Sequence, residues 1–194
     1  MMFIFARQAI MSTVLLALLL CGFYPGCIYV AGAMIFPQQA QGSLLYEGPV
    51  AVGSALIGQR FAGPEYFHAR PSAAGEHGYA AEASGASNYG PTSKALAARM
   101  QASAAHIRAE QAAHSDMPVP IIPVDLLTSS GSGLDPHISP AAALIQAPRV
   151  AKARNIPVVQ VQALVRRHIQ GPEWALWGEP RVNVLHLNMA LRRL

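Results

Sequence analysis

An uncharged apolar run near the start of the chain constrains the fold more than any other feature. Between Arg7 and Glu47 the sequence contains no charged residue, and its centre, residues 9–36, reads AIMSTVLLALLLCGFYPGCIYVAGAMIF. A bilayer core about 30 Å thick requires roughly 20 apolar residues in a helix. The run is long enough for this, so the sequence predicts a transmembrane helix over residues 9–36.

A cleavable secretory signal is the alternative interpretation of this run. Arg7 resembles a positive n-region, and residues 31–34, AGAM, offer the small side chains of a cleavage site. The run is, however, about twice the 7–15 residues of an ordinary h-region, which favours an uncleaved signal anchor. Pro25, beside Gly22 and Gly26, is expected to kink the helix or end a first, tighter segment.

Charge and cysteine usage predict the orientation and three regions of the chain. Arg7 and the terminal amine are the only positive charges near the run, so the leading tail is expected inside the cell. The predicted regions are a cytoplasmic tail (1–8), the transmembrane helix (9–36) and a periplasmic or extracellular domain (37–194). Both cysteines, Cys21 and Cys27, lie within the run, so the exported domain cannot contain disulfides.

The composition indicates one folded domain and argues against nucleic-acid binding. A hydrophobic fraction of 52% with 12% charged residues is too apolar for disorder. Residues 47–135 contain eight acidic and five basic residues, whereas residues 149–194 contain eight basic and two acidic ones. The net charge of +4 is therefore divided between an acidic and a basic half and does not form a nucleic-acid patch, which leaves electrostatic docking or two differently solvated faces.

The first part of the exported domain mixes strand, loop and helix signals. Residues 50–58 predict a short strand or strand pair, and residues 73–91 have almost no aliphatic side chain larger than alanine, which predicts a long ordered loop or lid. Residues 92–115 predict a helix with Arg99, Gln101 and Glu110 away from its apolar face. That apolar face carries Leu96, Met100, Ala104 and Ile107.

The second part adds further strands and helices. Residues 119–130 predict an edge strand because of their two prolines, and Ser139 is the expected N-cap of a helix that begins at Pro140. Pro148 and Pro157 are expected to divide the following residues into two or three short helices. Residues 181–188 alternate like a strand before a helical end. The predicted fold class is α+β: one N-terminal transmembrane helix, then a single mixed α/β extracytoplasmic domain.

Tests for catalytic and ligand-binding motifs give negative results. Residues 129–135, SSGSGLD, resemble a phosphate-binding loop but lack the following lysine, so a turn with a helix cap explains them better. The seven histidines lack zinc-ligand spacing, and no G-x-S-x-G, TVGYG or D-K-T-G motif occurs. We therefore predict no catalytic, cofactor-binding or metal-binding residue and no directly bound cofactor.

One stretch, Gly53–Ala73, concentrates aromatic rings and arginines between glycines and prolines: GSALIGQRFAGPEYFHARPSA. Glycine and proline fix the backbone, while bulky, directional side chains are those that protein interfaces favour. The predicted subunit-interface residues are Tyr66, Phe67, His68 and Arg70. The alternative is that Phe61, Tyr66 and Phe67 belong to the core.

Several motifs together resemble one family. The stretch above, then ASGASNYGP, VPIIPVDLLTSSGSGLDPHISPAAALIQAPRVAKARN and GEPRVNVLHLNMAL, follow in order from the membrane helix to the end of the chain. They resemble the C subunits of the Kdp-type potassium-transporting P-type ATPases. The resemblance implies a single-pass subunit of the bacterial inner membrane that is not an enzyme on its own.

The same resemblance implies the partners and the role. The partners are a potassium-channel-like subunit, a P-type ATPase subunit and a small membrane peptide, in a complex that uses ATP, Mg and K. The implied role is assembly and stability of a high-affinity potassium uptake complex, described in the family as a catalytic chaperone that raises ATP affinity. Two alternatives remain open: an anchored hydrolase, and a membrane-anchored periplasmic ligand-binding or adhesion module.

Overall fold

The computed structural model describes residues 1–114 and 121–194, which form two compact units, residues 1–52 and 53–194. The first unit begins with a continuous helix, Met2–Ile35, in which no residue is buried. It comprises α1 (Met2–Ala17), a π-helical segment (Leu18–Phe23) and α2 (Tyr24–Ile35). A helix that is apolar on all sides and uncovered by protein is typical of a membrane span.

The helix does not end at Pro25. The helix continues through Pro25, and the wider π-helical turns of Leu18–Phe23 come immediately before α2. Proline has no N–H to donate, and its ring crowds the carbonyl one turn earlier. Wider turns relieve this crowding without breaking the helix.

The remainder of the first unit is a short helical turn, α3 (Pro37–Ala40), followed by strand β1 (Leu44–Glu47). Strand β1 pairs with β2 (Val50–Ser54). The two units divide within β2, between residues 52 and 53. The strand predicted over residues 50–58 is thus real but shorter, because the chain turns after Ser54.

Over residues 53–114 and 121–194, the second unit combines four helices with a small sheet. Its long loop contains one 3-10 turn, Ala81–Ala83, and a second such turn spans Val124–Leu126. The regular elements are α4 (Lys94–His114), β3 (His137–Ile138), α5 (Pro140–Arg154), α6 (Val158–Arg167), β4 (Ile169–Gln170), β5 (Arg181–Asn183) and α7 (Val184–Leu191). This arrangement of one apolar helix and a mixed helix-and-sheet domain confirms the predicted α+β fold class.

The sheet is antiparallel, with order β3-β5-β4. Val182 in the central strand faces Ile138 on one side and Ile169 on the other. Helices α5, α6 and α7 pack in sequence against one another, and α4 packs against α5. Their shared core packs alanine and branched aliphatic side chains around one aromatic ring, and includes Phe67, Ile138, Ala143, Ala147, Val150, Val161, Val165, Val182, Leu187 and Leu191.

Capping explains where α5 begins and ends. The Ser139 hydroxyl accepts a hydrogen bond from the Ala142 N–H at 3.0 Å, with Pro140 in the first turn, as predicted. The helix ends at Asn155, which adopts a left-handed conformation with φ of 56°. Pro157 then separates α5 from α6, also as predicted.

Two local predictions were wrong, and a third was right only for its first residues, Arg181–Asn183. Residues 121–130 form no strand; the Asp125 carboxylate instead accepts bonds from the Ser139 N–H (2.7 Å) and hydroxyl (3.2 Å). Residues 119–120 of that prediction lie outside the described residues.

Pro148 does not divide the helix but lies inside α5. Gln111 of α4 donates to the Ile145 carbonyl at 2.9 Å, one turn before the proline. The predicted strand over residues 181–188 becomes helical at Val184, because Asn183 caps α7.

Candidate functional site

The four residues predicted as an interface lie in an irregular segment, residues 63–72, which we call the central segment. Buried amide side chains from two helices hold its backbone. Asn188 of α7 accepts a bond from the Phe67 N–H and donates to the Phe67 carbonyl, both at 2.9 Å. Gln146 of α5 does the same for His68, at 2.7 and 3.1 Å. Each amide thus replaces a neighbouring strand for one residue of the segment.

Arg149 extends this attachment from the interior of α5. Only 1% of this residue is exposed, and its guanidinium donates to the Pro64 carbonyl at 2.6 Å and to Gln146 Oε1 at 2.8 Å. The nearest carboxylate oxygen, from Glu110 of α4, lies 3.6 Å away. Burial lowers the pKa of Arg149, and Glu110 opposes that change. A buried arginine is tolerated here because its hydrogen bonds and a countercharge compensate its lost hydration.

His68 of the central segment contacts the same carboxylate, that of Glu110. Its Nε2 donates to the Gly63 carbonyl at 3.0 Å, and its Nδ1 lies 3.5 Å from a Glu110 oxygen. Burial, and then the positive charge of Arg149, lower the pKa of His68 below its ordinary value. The ring is therefore neutral near pH 7, so its contact with Glu110 is not an ion pair there.

Tyr66 lies beneath two guanidinium groups. The Cζ atoms of Arg154 and Arg192 lie 5.3 and 5.6 Å from the centre of its ring, and Phe61 lies at 5.7 Å in a tilted arrangement. Arg154 also donates to the Glu65 carbonyl at 2.8 Å. These cation–π contacts attach the basic C-terminal half of the chain to the central segment.

Arg70 joins the segment to the loop that precedes β3. It donates to Asp135 Oδ2 at 3.0 Å, and Asp135 Oδ1 accepts the N–H of His137 at 2.9 Å. Burial alone would raise the pKa of Asp135, but hydrogen bonds from His137 and Arg70 hold it below its usual value. The Tyr79 hydroxyl donates to the Arg70 carbonyl, and burial raises the pKa of Tyr79 to about 12.

A cavity of about 290 Å³ lies between the central segment, α4 and α5. Several of its polar side chains are hydrogen-bonded to one another or to nearby backbone, whereas Arg70 Nε is buried without a hydrogen-bond partner among the described residues. Ser72, for example, donates to the Gly133 carbonyl at 2.6 Å and accepts from the Tyr79 N–H at 2.8 Å, so it is not poised as a nucleophile. The lining side chains that matter here are His68, Arg70, Ser72, Glu110, Gln146 and Arg149.

The structure brings the four predicted residues together along one segment but gives them different environments. Phe67 is fully buried, so it belongs to the core, which was the stated alternative, and it presents no surface to a partner. Tyr66, His68 and Arg70 are partly exposed. The interface role stays a prediction for these three. Within residues 1–114 and 121–194, no three His, Cys, Asp or Glu side chains are arranged to hold a metal ion.

Sequence reasoning missed the residues that hold the segment: Gln146, Arg149 and Asn188. Polar residues at core-facing positions of otherwise apolar helices were the available signal. Glu110 was predicted on the polar side of α4, yet it follows Ile107 by three residues and therefore shares its half-buried face.

Comparison with known proteins finds one family. The family model described as KdpC: K+-transporting ATPase, c chain, matches residues 6–193. The potassium-transporting ATPase KdpC subunit of Nitratidesulfovibrio vulgaris is 52% identical over 188 residues, covering 97% of this chain and 93% of the relative. The corresponding subunit of Gemmatimonas aurantiaca is 50% identical, covering 97% and 92%. That of Rhodopseudomonas palustris is 49% identical, covering 95% and 94%.

Proposed function

Because the chain belongs to the KdpC family of K+-transporting ATPase c chains, we propose that it stabilises an ATP-driven, high-affinity potassium uptake complex from outside the cytoplasm. As a member of that family it is an accessory subunit of a potassium-transporting ATPase and is not catalytic itself. It is a single-pass membrane protein, anchored by the helix Met2–Ile35.

One observation carries the proposal: the family match extends from residue 6, within the apolar helix, to residue 193 in the last turns of the folded domain. Membrane anchor and domain are thus matched as one unit. The proposed partners are a potassium-channel-like subunit, a P-type ATPase subunit and a small membrane peptide. We place the complex in the bacterial inner membrane, where its other subunits use ATP, Mg and K.

The proposed orientation has the N-terminus inside, because Arg7 is the only charged residue of the leading tail. The domain then lies in the periplasm or extracellular space and cannot contact cytoplasmic ATP. A catalytic-chaperone effect that raises the ATP affinity of the ATPase subunit is therefore indirect, transmitted through the membrane subunits as a coupling between separate sites.

The domain is proposed to dock on the outer face of the channel-like subunit, with Tyr66, His68 and Arg70 as interface residues. The buried amides of Gln146 and Asn188 hold the backbone of His68 and Phe67 within this segment, so little conformational entropy is lost when a partner binds. A second, weaker element of the proposal is that exposed carboxylates such as Glu76 and Glu82 raise the local cation concentration in a salt-dependent way.

Co-purification tests the proposal. The ATPase subunit carries an affinity tag, and the chain is supplied either intact or truncated after residue 36. We expect the intact chain to co-purify and to support growth at limiting potassium, and the truncated chain to do neither. Normal assembly and transport by the truncated complex would overturn the proposal. Saturable ATP binding by the purified full chain would contradict the indirect mechanism.

A further inference from the structure

The loop between β4 and β5, residues 171–180, carries both tryptophans of the chain. We call residues 174–177 the tryptophan tip. The exposed fractions are 89% for Trp174, 79% for Leu176 and 71% for Trp177. Tryptophan is the most costly side chain to leave in water at such exposure, and here two of them flank an exposed leucine within four residues.

Hydrogen bonds close the turn that carries the tip. Glu173 and Trp177 form a bridge, with N–H···O distances of 2.8 and 3.0 Å, and the Leu176 N–H donates to the Glu173 carbonyl at 3.1 Å. Arg181 of β5 donates to the Glu173 carboxylate at 2.7 Å. The apolar side chains are therefore presented by a braced turn.

Turn chemistry does not explain these residues. Trp174 and Ala175, the two central residues of the turn, have φ values of 55° and 61°. Such a turn favours Asn-Gly, and a bulky side chain at positive φ is strained. Neither local geometry nor the core, to which these exposed side chains do not belong, accounts for a tryptophan here. A binding role outside the chain does.

We propose that the tryptophan tip inserts into an apolar crevice on another subunit of the transporter. This inference rests on the proposed function, because it requires a multisubunit complex. Aromatic side chains bury roughly 150–250 Å² each, so two of them supply a large share of the about 800 Å² per partner in a standard interface. The tip has the composition of a hot spot at the centre of such an interface.

The charges around the tip favour a protein partner over a lipid surface. Glu173, Glu179 and Arg181 flank the apolar residues in sequence, and Glu173 pairs with Arg181, so both signs of charge adjoin the tip as in the polar rim of protein interfaces. Two carboxylates beside the tip oppose contact with anionic headgroups. Tryptophan also occurs at membrane interfaces, so the experiment must distinguish lipid binding by the tip from binding to another subunit.

Photo-crosslinking in the assembled complex tests this proposal. A benzophenone amino acid replaces Leu176 in the full chain, and a matched variant carries it at Val159, an apolar residue of α6 that is 66% exposed. We expect a covalent adduct to another subunit from position 176 and none from position 159. In parallel, Trp174→Ala with Trp177→Ala is expected to weaken retention of the chain in the complex roughly 30-fold, whereas Val159→Ala is expected to leave retention unchanged.

Lipid binding is measured with the intact chain alone in vesicles of phosphatidylethanolamine and phosphatidylglycerol with brominated acyl chains. Both tryptophans lie in this loop, so tryptophan fluorescence, excited selectively over that of tyrosine, reports only on the loop. We expect no quenching. Quenching by brominated lipid without a subunit adduct would overturn the proposal, as would full retention of the double variant. If the unmodified chain fails to co-purify with the transporter, the proposed function itself is wrong.

Discussion

Arg149 illustrates how one buried side chain connects three parts of the folded domain. From α5 it reaches the Pro64 carbonyl, the Gln146 amide and the carboxylate of Glu110 on α4. Its charge is stable in the interior only while these partners remain. The same residue lines the cavity, so packing and polar chemistry are inseparable at this position.

Removing the guanidinium is expected to destabilise the fold strongly. Arg149→Ala leaves a buried carbonyl, an amide and a carboxylate without their partner, and should lower the free energy of unfolding by about 3–5 kcal/mol. Arg149→Lys retains the charge but not the planar fork, so its loss should be smaller. Denaturant unfolding of the full chain in detergent measures both. Arg108→Ala, at an exposed position of α4, is the control and should change stability by less than about 0.5 kcal/mol. Equal values for Arg149→Ala and Arg108→Ala would contradict this account.

Two histidines predict acid sensitivity of the fold. Burial lowers the pKa of His68 and of His186, assisted by Arg149 and by His168 respectively. The unfolded chain therefore binds protons more readily, so their contribution is complete above about pH 6.5 and declines as the pH falls below it. We expect a lower Tm at about pH 5.5 than at about pH 7.5, a window in which ordinary carboxylates do not titrate. His68→Gln with His186→Gln should reduce this difference. A Tm that rises on acidification would show that the sign is wrong.

At the scale of elements, loops contribute as much order as helices do. The loop of residues 129–135 is a structural turn, as the sequence indicated. It is hydrogen-bonded to the long loop before α4: the Gly85 N–H donates to the Ser132 carbonyl at 2.9 Å, and the Ser72 hydroxyl donates to the Gly133 carbonyl. The strands of the sheet, by contrast, are only two or three residues long. Tertiary hydrogen bonds between loops therefore supply what a larger sheet provides elsewhere.

Gly133 is the position where this loop packing can be tested. Its φ is +69°, and a Cβ atom there would lie 2.7 Å from both the Ala74 nitrogen and the Gly85 oxygen. Gly133→Ala should therefore cost more than the about 1–2 kcal/mol of a left-handed residue alone. Gly131, two residues earlier, has no atom within 4 Å of such a Cβ, so Gly131→Ala is the matched control and should be nearly neutral. Thermal unfolding of the two variants side by side decides the matter; similar Tm values would refute the packing argument.

At the scale of the whole molecule, the apolar helix and the folded domain have separate tasks. No side chain of the helix is buried, whereas the domain has its own core around Phe67 and Leu187. One element partitions into lipid, and the other folds in water. The chain is accordingly an anchored domain, the form expected of a subunit that contributes binding and no chemistry.

Orientation is the prediction that belongs to this scale. Alkaline phosphatase fused after residue 36, after residue 74 or to the intact C-terminus should be active, because all three junctions follow the single span and Arg7 precedes it. β-Galactosidase at the same junctions is the reciprocal control and should be inactive. Cytoplasmic activity at residue 74, or a mature chain that begins near Met34, would contradict the signal-anchor interpretation.

Local signals determined the parts of the fold that depend on neighbouring residues. The uncharged run predicted the apolar helix, Ser139 and Pro140 predicted the start of α5, and Pro157 predicted its separation from α6, because each rests on contacts within a few residues. Residues 184–188 show the limit of such reasoning. Val182 and Val184 fit a strand alternation, yet Val184, Leu187 and Leu191 also fit one helical face, and burial selected the helix.

Tertiary structure decided the rest, since it depends on residues far apart in sequence. Asn188 bonds the backbone of Phe67 across 121 positions, and Gln146 bonds that of His68 across 78. The sequence by itself established a membrane anchor, an α+β domain and a family resemblance carried by several ordered motifs. It did not establish that Phe67 is core, that Pro148 is tolerated within α5, or that Arg149 is buried. Those outcomes follow from the balance of burial and hydrogen bonding in the assembled domain, and no local pattern contains that balance.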